Sequence, residues 1–493
     1  MLRGLRAYWL LALGAFGVLG AAAVWLGGLN QDEGWYLYAA NMVADGKMPY
    51  RDFFFTQGPV MPFVYSAFVG VWKSCGLLGA RVFTLALGAV GILFAMGLAR
   101  RLVPADDRDR AALTVLLLLG CNLYHLYYVA IPKTYALAGL LVIAGFYLLS
   151  VSVDRVRWLS IVSGLALAFA AGTRISLGAI LPVVGLWLLW TRQARILAGF
   201  CLGGFVGLAL VYGPFLCDAG AREGLIAAQQ YHAARGGSDL VWVVGSLSRL
   251  VRWYLPVFVV LGLGVAGMLG SKSEVEVERR RFSLLLFGSF LAVFAVQMLA
   301  PFPYEDYQVP VMGLLAVYAA VLFSVRRLGG LSQLLVLGLC FASSFGSPLL
   351  EKWMTNGQDR FWSLKKEKCE LAQLRDVAER IRTLDPAGRT LLTQDLYLAI
   401  ETGRTVPKGL EMGPFAMLTD AEWRELLTQT APDECPLAAL SGYAFSIEPP
   451  KCGERPIEQQ MSYWELLKKN YRLVDREESF GQNATTLLIL KRR

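Results

Sequence analysis

The sequence predicts an α-helical polytopic membrane protein with about eleven transmembrane helices, followed by a small soluble α/β domain. Three observations carry this. The 493-residue chain is 56% hydrophobic, with many apolar runs long enough to cross a bilayer's hydrocarbon core. Its formal net charge of +9 comes from Lys and Arg that fall mainly in short turns between those runs, so it reads as membrane orientation and not as nucleic-acid binding. After about Glu351 the long apolar runs stop.

The N-terminal MLRGLR and the apolar run to about Gly28 have the outline of a signal peptide, but no small-residue cleavage site clearly interrupts the run. A retained first span over 7–28 is expected. Further spans are expected near 80–100, 111–130, 134–150, 158–172, 176–190, 195–215, 254–270, 282–300, 308–325 and 330–348. The turns then assigned to the cytoplasm, such as RRLVPADDRDR (100–110) and SKSEVEVERRR (271–281), are rich in Lys or Arg. Counting PVMPFVYSAFVGVWKSCG (59–76) as another span would invert every later loop. Pro59, Val60, Phe63, Val64, Ala67, Phe68 and Val71 recur in it at helical spacing, which fits a helix lying along the outer interface.

With the N-terminus inside, this count places residues 351–493 outside, as a domain separate from the membrane unit 1–350. In that outer segment EKCELAQLRDVAERIRTL reads as an amphipathic helix with Leu371, Leu374, Val377 and Ile381 on one face. RTLLTQ, YAFSIE and TTLLILKRR read as short strands. A Cys435–Cys452 disulfide is a candidate in an oxidising compartment, although spacing alone does not establish a pairing. Eight cysteines without a Cys-x-x-Cys pair, and only two histidines, leave no zinc-like pattern.

The stretch NQDEGWYLYAANMVADGKMPYRDFFF (30–55) follows the first span. From Gly34 onward, Trp35, Tyr38, Ala39, Met42 and Val43 mark an amphipathic helix ended by Gly46 and followed by Pro49. Asp32 stands just before that helix. An N-cap role and a functional role weigh evenly there on local sequence.

From about Asn30 to Leu102 the sequence resembles the membrane glycosyltransferases of the GT-C fold, particularly the clan of protein O-mannosyltransferases and aminoarabinose (lipid A) transferases. The resemblance lies in the Asp32-Glu33 pair, the Gly46-Lys-Met-Pro49-Tyr50 turn and the Pro59-led amphipathic helix; through the remaining spans it rests on topology. It implies a GT-C type fold and transfer of a sugar from a polyprenyl-phosphate carrier to a lipid, polysaccharide or protein acceptor. The transfer would take place at the outer face of the cytoplasmic membrane, with membrane lipid as a further partner and no nucleic acid.

On that resemblance Asp32 is the catalytic carboxylate that deprotonates or orients the acceptor, and Glu33 orients the site or begins the helix. The leaving phosphate calls for cations, for which Arg51, Arg174 and Lys133 are candidates with Tyr50 beside them. PFPYEDYQVP resembles the clan's late outer loop, which makes Tyr304, Asp306 and Tyr307 candidates for the acceptor or lipid entrance, with His232 a further one. Ordinary roles compete with each: an ion pair with Asp52 or snorkelling for Arg51, an interface anchor for Lys133, an aromatic belt for the tyrosines, a solvated turn for Glu305 and an incidental surface position for His232. His125 is expected to make a polar contact between spans.

Thr56-Gln57-Gly58 stands before Pro59 where many aminoarabinose-transferase relatives carry a Lys, so their phosphate contact does not transfer to this position. Asp32 and Glu33 offer two ligands for a Mg²⁺ or Mn²⁺ ion, too few to define a site. Two other classes compete: a transporter or flippase for lipid-linked sugars, which predicts internal repeats and ionisable groups at the membrane midplane, and a non-enzymatic envelope-assembly protein.

Overall fold

The structure is a computed structural model that describes residues 2–233, 240–269, 277–300, 303–324, 330–347, 368–413, 416, 418–441, 465–482 and 484–493. Among the described residues six stretches are long and apolar enough to cross a membrane, and they fall in helices α1 (Leu2–Trp25), α4 (Val69–Leu102), α7 (Thr134–Asp154), α10 (Ala194–Cys217), α14 (Val277–Met298) and, with the turn Glu305–Gln308 before it, α15 (Val309–Ser324). Five of them lie in regions expected to span, while the one in α4 also takes in Val69–Gly76 from the segment expected along the interface; the chain is a multi-pass membrane protein. Two bent helix pairs are together apolar and long enough for a broken span or a re-entrant loop: α5 (Arg108–Val115) with its π-helical turn running into α6 (Leu123–Ala130) at 70°, and α12 (Leu240–Trp253) into α13 (Leu255–Leu269) at 81°. The remaining expected spans are the shorter apolar helices α8 (Leu159–Thr173), α9 (Ile180–Trp190) and α16 (Gly330–Phe345).

The bends have local causes. Asn122 caps α6 by accepting from the His125 amide at 2.9 Å, which restarts the helix in a new direction. Pro256 lies in the first turn of α13, where its missing N–H is tolerated, and α13 restarts beyond the break at Tyr254. The two bends meet: Asn122 donates to the Trp253 carbonyl (2.9 Å), and His125 Nδ1 pairs with the Tyr254 hydroxyl (3.0 Å). His125 thus makes the expected contact between spans.

The loop between α1 and α4 contains α2 (Gln31–Ala44) and α3 (Val60–Ser66), and α11 (Ala219–Ala233) lies against it. Phe63 and Phe68 in the Pro59–Gly76 segment stay exposed, in keeping with an interface helix. Its C-terminal part runs into α4 through a break at Gly76 (φ 63°), a conformation suited to glycine. Beyond the break Glu401 accepts from the Leu77 amide (2.7 Å), placing a carboxylate at the start of the spanning half.

The C-terminal region contains the expected helix, Glu370–Leu384, with Leu371, Leu374, Val377 and Ile381 all fully buried. A three-stranded antiparallel sheet runs in the order β1 (Leu437–Leu440), β3 (Thr485–Arg492), β2 (Tyr471–Phe480). RTLLTQ contributes only single bridges, Thr390 to Thr405 and Leu392 to Ala438. YAFSIE and Cys452 lie outside the described residues, as does the 350/351 boundary.

This region shares a hydrophobic core with the loop between α1 and α4, in which Trp35 and Leu37 join Leu371, Leu396 and Ile400. Hence α2 is buried around most of its circumference, including Tyr36, Leu37 and Ala40 outside the expected apolar face. The contact is close: a Cβ on Gly34 would stand 2.2 Å from the Tyr397 amide nitrogen. Gly34→Ala is therefore expected to cost about 1–3 kcal/mol by overpacking. Thermal unfolding of the purified variant in lipid measures that loss.

Candidate active site

Helix α2 begins one turn earlier than the sequence suggested. Its N-cap is Asn30, whose side chain accepts from the Asp32 amide (3.0 Å), while Glu33 returns a bond to the Asn30 amide (3.0 Å). Asp32 is thus not the cap, and its carboxylate is left for longer-range partners. It accepts from Trp35 Nε1 at 3.1 Å and from Lys133 Nζ at 2.8 Å.

Lys133 sits between two acids, donating to Asp306 at 3.0 Å as well as to Asp32. It stands at the N-cap position of α7, where a cation opposes the helix dipole, so the carboxylates on either side offset an otherwise unfavourable placement. Asp306, in the turn entering α15, also accepts from the Tyr135 hydroxyl (2.8 Å). Arg174, at the C-cap of α8 where a cation suits the dipole, donates to Thr134 Oγ1 (3.2 Å). Its guanidinium lies 4.8 Å from the Tyr135 ring centroid and 4.9 Å from that of Tyr307. Its Nε is buried without a partner among the described residues.

Four charged residues from four separate junctions therefore meet as one nearly dry cluster. Burial alone would raise the Asp32 carboxyl, but the Lys133 ammonium, its hydrogen bond, Trp35 and the Arg174 charge together hold it below the ordinary value. Asp32 is an anion at neutral pH, flanked by two cations that can take up a second anion.

Glu33 is occupied elsewhere. Arg81 donates to both of its oxygens (2.6 and 2.7 Å) and to the carbonyls of Val24, Gly27 and Gly28, all within a fully buried site. The pair ties α2 to the end of α1 and to α4. Glu33→Gln is expected to cost about 3–5 kcal/mol, the usual cost of removing one charge from a buried ion pair, while turnover per folded molecule persists. Thermal unfolding with active-site titration separates the two effects.

Arg51 and Tyr50 form a separate group. Arg51 is exposed and paired with Asp52 (2.9 Å) and Asp218 (3.6 Å), the ordinary role weighed for it. Tyr50 is buried at a positive φ of 67°, donates to the Gln57 carbonyl and packs its ring on Phe215. Tyr304 is half exposed and rests edge-on against Trp242 (5.8 Å) and Tyr307 (5.7 Å). Glu305 is no free solvated side chain, since Arg249 donates to it at 2.9 Å. His232 belongs to α11, but its side chain lies outside the described residues.

The sequence reading missed Tyr135, Trp35 and Arg81. A signal for Arg81 was present, because it lies within an expected span, where an ionisable residue is paired or functional by default. As arranged, the site does not fit a divalent cation: Lys133 fills the space between Asp32 and Asp306, and Glu33 is held by Arg81.

The architecture is the GT-C fold of polytopic membrane glycosyltransferases. The chain is similar over 98% of its length, and over 98% of the other chain, to ArnT from Cupriavidus metallidurans in the form bound to undecaprenyl phosphate, with a TM-score of 0.65 and 15% identity. The apo state of the same ArnT gives a TM-score of 0.64. An Archaeoglobus fulgidus oligosaccharyltransferase complex with Zn and sulfate is similar over 96% of this chain and 72% of that one, with a TM-score of 0.51 and 11% identity. No protein-family model and no curated protein matches the sequence.

Proposed function

We propose that the protein is an inverting glycosyltransferase that moves a sugar from a polyprenyl-phosphate carrier to a lipid, glycan or protein acceptor. One observation carries this reading: the Asp32–Lys133–Asp306 cluster with Arg174 beside it, an ionised carboxylate next to two cations at helix junctions. The likeness to an ArnT described with undecaprenyl phosphate supports the carrier class. On this reading residues 1–350 form the membrane catalytic unit and 351–493 an outer domain, with the site at the outer face of the cytoplasmic membrane. Nucleotide sugars are cytosolic, so a site on that face needs a donor already carried across by lipid.

In the proposed reaction the acceptor oxygen attacks the anomeric carbon from the side opposite the phosphate. Asp32 takes the hydroxyl proton as the new C–O bond forms. The bond from the anomeric carbon to the phosphate oxygen breaks with its electron pair, and Lys133 and the unpaired Nε–H of Arg174 stabilise the polyprenyl phosphate that leaves. Tyr304 and Tyr307 stand along the approach to Arg174, and Asp306 keeps Lys133 in place between turnovers.

The test is sugar transfer by the purified protein in lipid, with a panel of polyprenyl-phosphate sugars and a membrane extract as acceptor. Release of polyprenyl phosphate coupled to labelling of the extract is expected with at least one donor. Labelling from nucleotide sugars alone, or none from any donor, would overturn the reading.

A further inference from the structure

The first turn of α2 is held from the C-terminal region by a buried polar cluster that the proposed chemistry does not use. Gln31 precedes Asp32 and donates through Nε2 to Asp395 Oδ1 (2.8 Å), and the Tyr397 hydroxyl donates to the same oxygen (3.0 Å). The Gln31 amide nitrogen donates to Gln482 Oε1 (2.8 Å). Asp395 is fully buried. Asp395 Oδ2, Gln31 Oε1 and Gln394 Oε1 meet no donor at ordinary hydrogen-bond geometry among the described residues; the Ser441 hydroxyl, which accepts from Gln394 Nε2 (3.2 Å), is the one further hydrogen-bonding group at the Asp395 carboxyl. Buried groups of this kind are rarely left unsatisfied.

One proton resolves the mismatch. On Oδ2 it would turn an acceptor into a donor, for which Gln31 Oε1, on the same amide that gives its N–H to Oδ1 and itself without a partner among the described residues, is the candidate acceptor. We propose that Asp395 is a neutral carboxylic acid paired edge to edge with the Gln31 amide, and that this pairing makes it a positioning residue for Asp32. The functional half of the proposal rests on the reading of Asp32 given above.

The surroundings favour the neutral form. The groups facing the carboxyl are Gln31 on α2, Tyr397 on the adjoining helix and Ser441 after β1. Glu370 acts on Tyr397 from the neighbouring helix, and Glu33, farther along α2, is matched by Arg81. No cation contributes to the balance at Asp395; burial raises its carboxyl and the hydrogen bonds offset only part of that. Folding therefore takes up a proton. Stability falls as pH rises above the ordinary carboxyl value of about 4, until the buried acid itself titrates.

The experiment compares wild type, Asp395→Asn, Asp395→Ala and Gln31→Leu in lipid by infrared spectroscopy, pH-dependent thermal unfolding and turnover. Wild type should show the carbonyl stretch of a protonated carboxylic acid at neutral pH and lose stability as pH rises. Asp395→Asn should lack both features and retain kcat, because a side-chain amide supplies the same neutral donor. Asp395→Ala and Gln31→Leu, assayed below their melting temperatures, should lower kcat with KM little changed. The absence of the acid band, or the same alkaline loss of stability in Asp395→Asn, would overturn the neutral acid whatever the turnover shows. An acid band with undiminished kcat in both disruptive variants would overturn the positioning role. If wild type turned over no donor, the reading of the active site would fall, while the spectroscopic and stability arms would still decide the pairing.

Discussion

Lys133→Met is expected to abolish turnover and to destabilise the protein by about 3–5 kcal/mol, the usual cost of removing one partner from a buried ion pair. The cost comes from what remains: Asp32 and Asp306, now without the ammonium that stood 2.8 and 3.0 Å from them, face each other in a nearly dry space. Two such carboxylates repel each other, which raises the Asp32 carboxyl against the remaining pull of Arg174. The stability tied to Asp32 changes accordingly. In the wild type its lowered carboxyl contributes stability above the ordinary value of about 4, and that contribution is lost as pH falls through the native value. Without Lys133 the acid-side loss should disappear. The double variant Lys133→Met/Asp306→Asn removes one of the stranded charges and should recover much of the stability with no recovery of turnover. Lys133→Arg is not a conservative test, because a planar fork replaces a point charge between two acids. Thermal unfolding across pH, with donor turnover on the same samples, checks each step. Full turnover in Lys133→Met would remove this residue from the proposed mechanism.

Where the sequence could be read and where it could not follows from the range of the interactions. The spans were legible because lipid imposes long apolar runs, with Lys and Arg concentrated in the turns between them. The burial of α2 was not. Periodicity marked the face with Trp35, Tyr38 and Met42, but the opposite face is covered by residues more than 300 positions away, such as Leu396 and Tyr397 against Gly34. Strand β2 was missed because Asp475 and Glu477 break its apolar pattern. They stand on an edge strand and pair with Arg380 from the helix alongside.

The site divides in the same way. Asp32 stood out because an acidic pair just outside a span is unusual, yet the cap belongs to Asn30, a distinction local propensity does not make. The separation of Asp32 from Glu33, one facing Lys133 and the other locked to Arg81, follows from helix geometry, since adjacent residues point about 100° apart. No sequence pattern joins Lys133 to Asp306, since their meeting depends on how α7 and α15 pack.

Asp32→Asn should leave a folded protein whose kcat is lower by about 10²- to 10⁴-fold, the usual contribution of a positioned base. Folding is spared for a structural reason. Asn keeps an oxygen for Trp35 Nε1, and Lys133 retains Asp306, so no buried charge is stranded. KM for the donor should change little, because Arg174 and Lys133 remain. The pH profile makes the test specific. In the free enzyme Asp32 lies below the ordinary carboxyl value, so kcat/KM should fall only in acid, below about pH 4. A bound donor phosphate draws on Lys133 and adds a like charge near Asp32, and both effects raise its carboxyl. The acid limb of kcat should then lie at higher pH than that of kcat/KM, and the donor would itself increase the basicity of the group that must accept the proton. The Asn variant should lose both limbs. If it kept wild-type kcat, or if both limbs survived in it, the proton would be going elsewhere, and Asp32 would be left with the structural task of balancing Lys133.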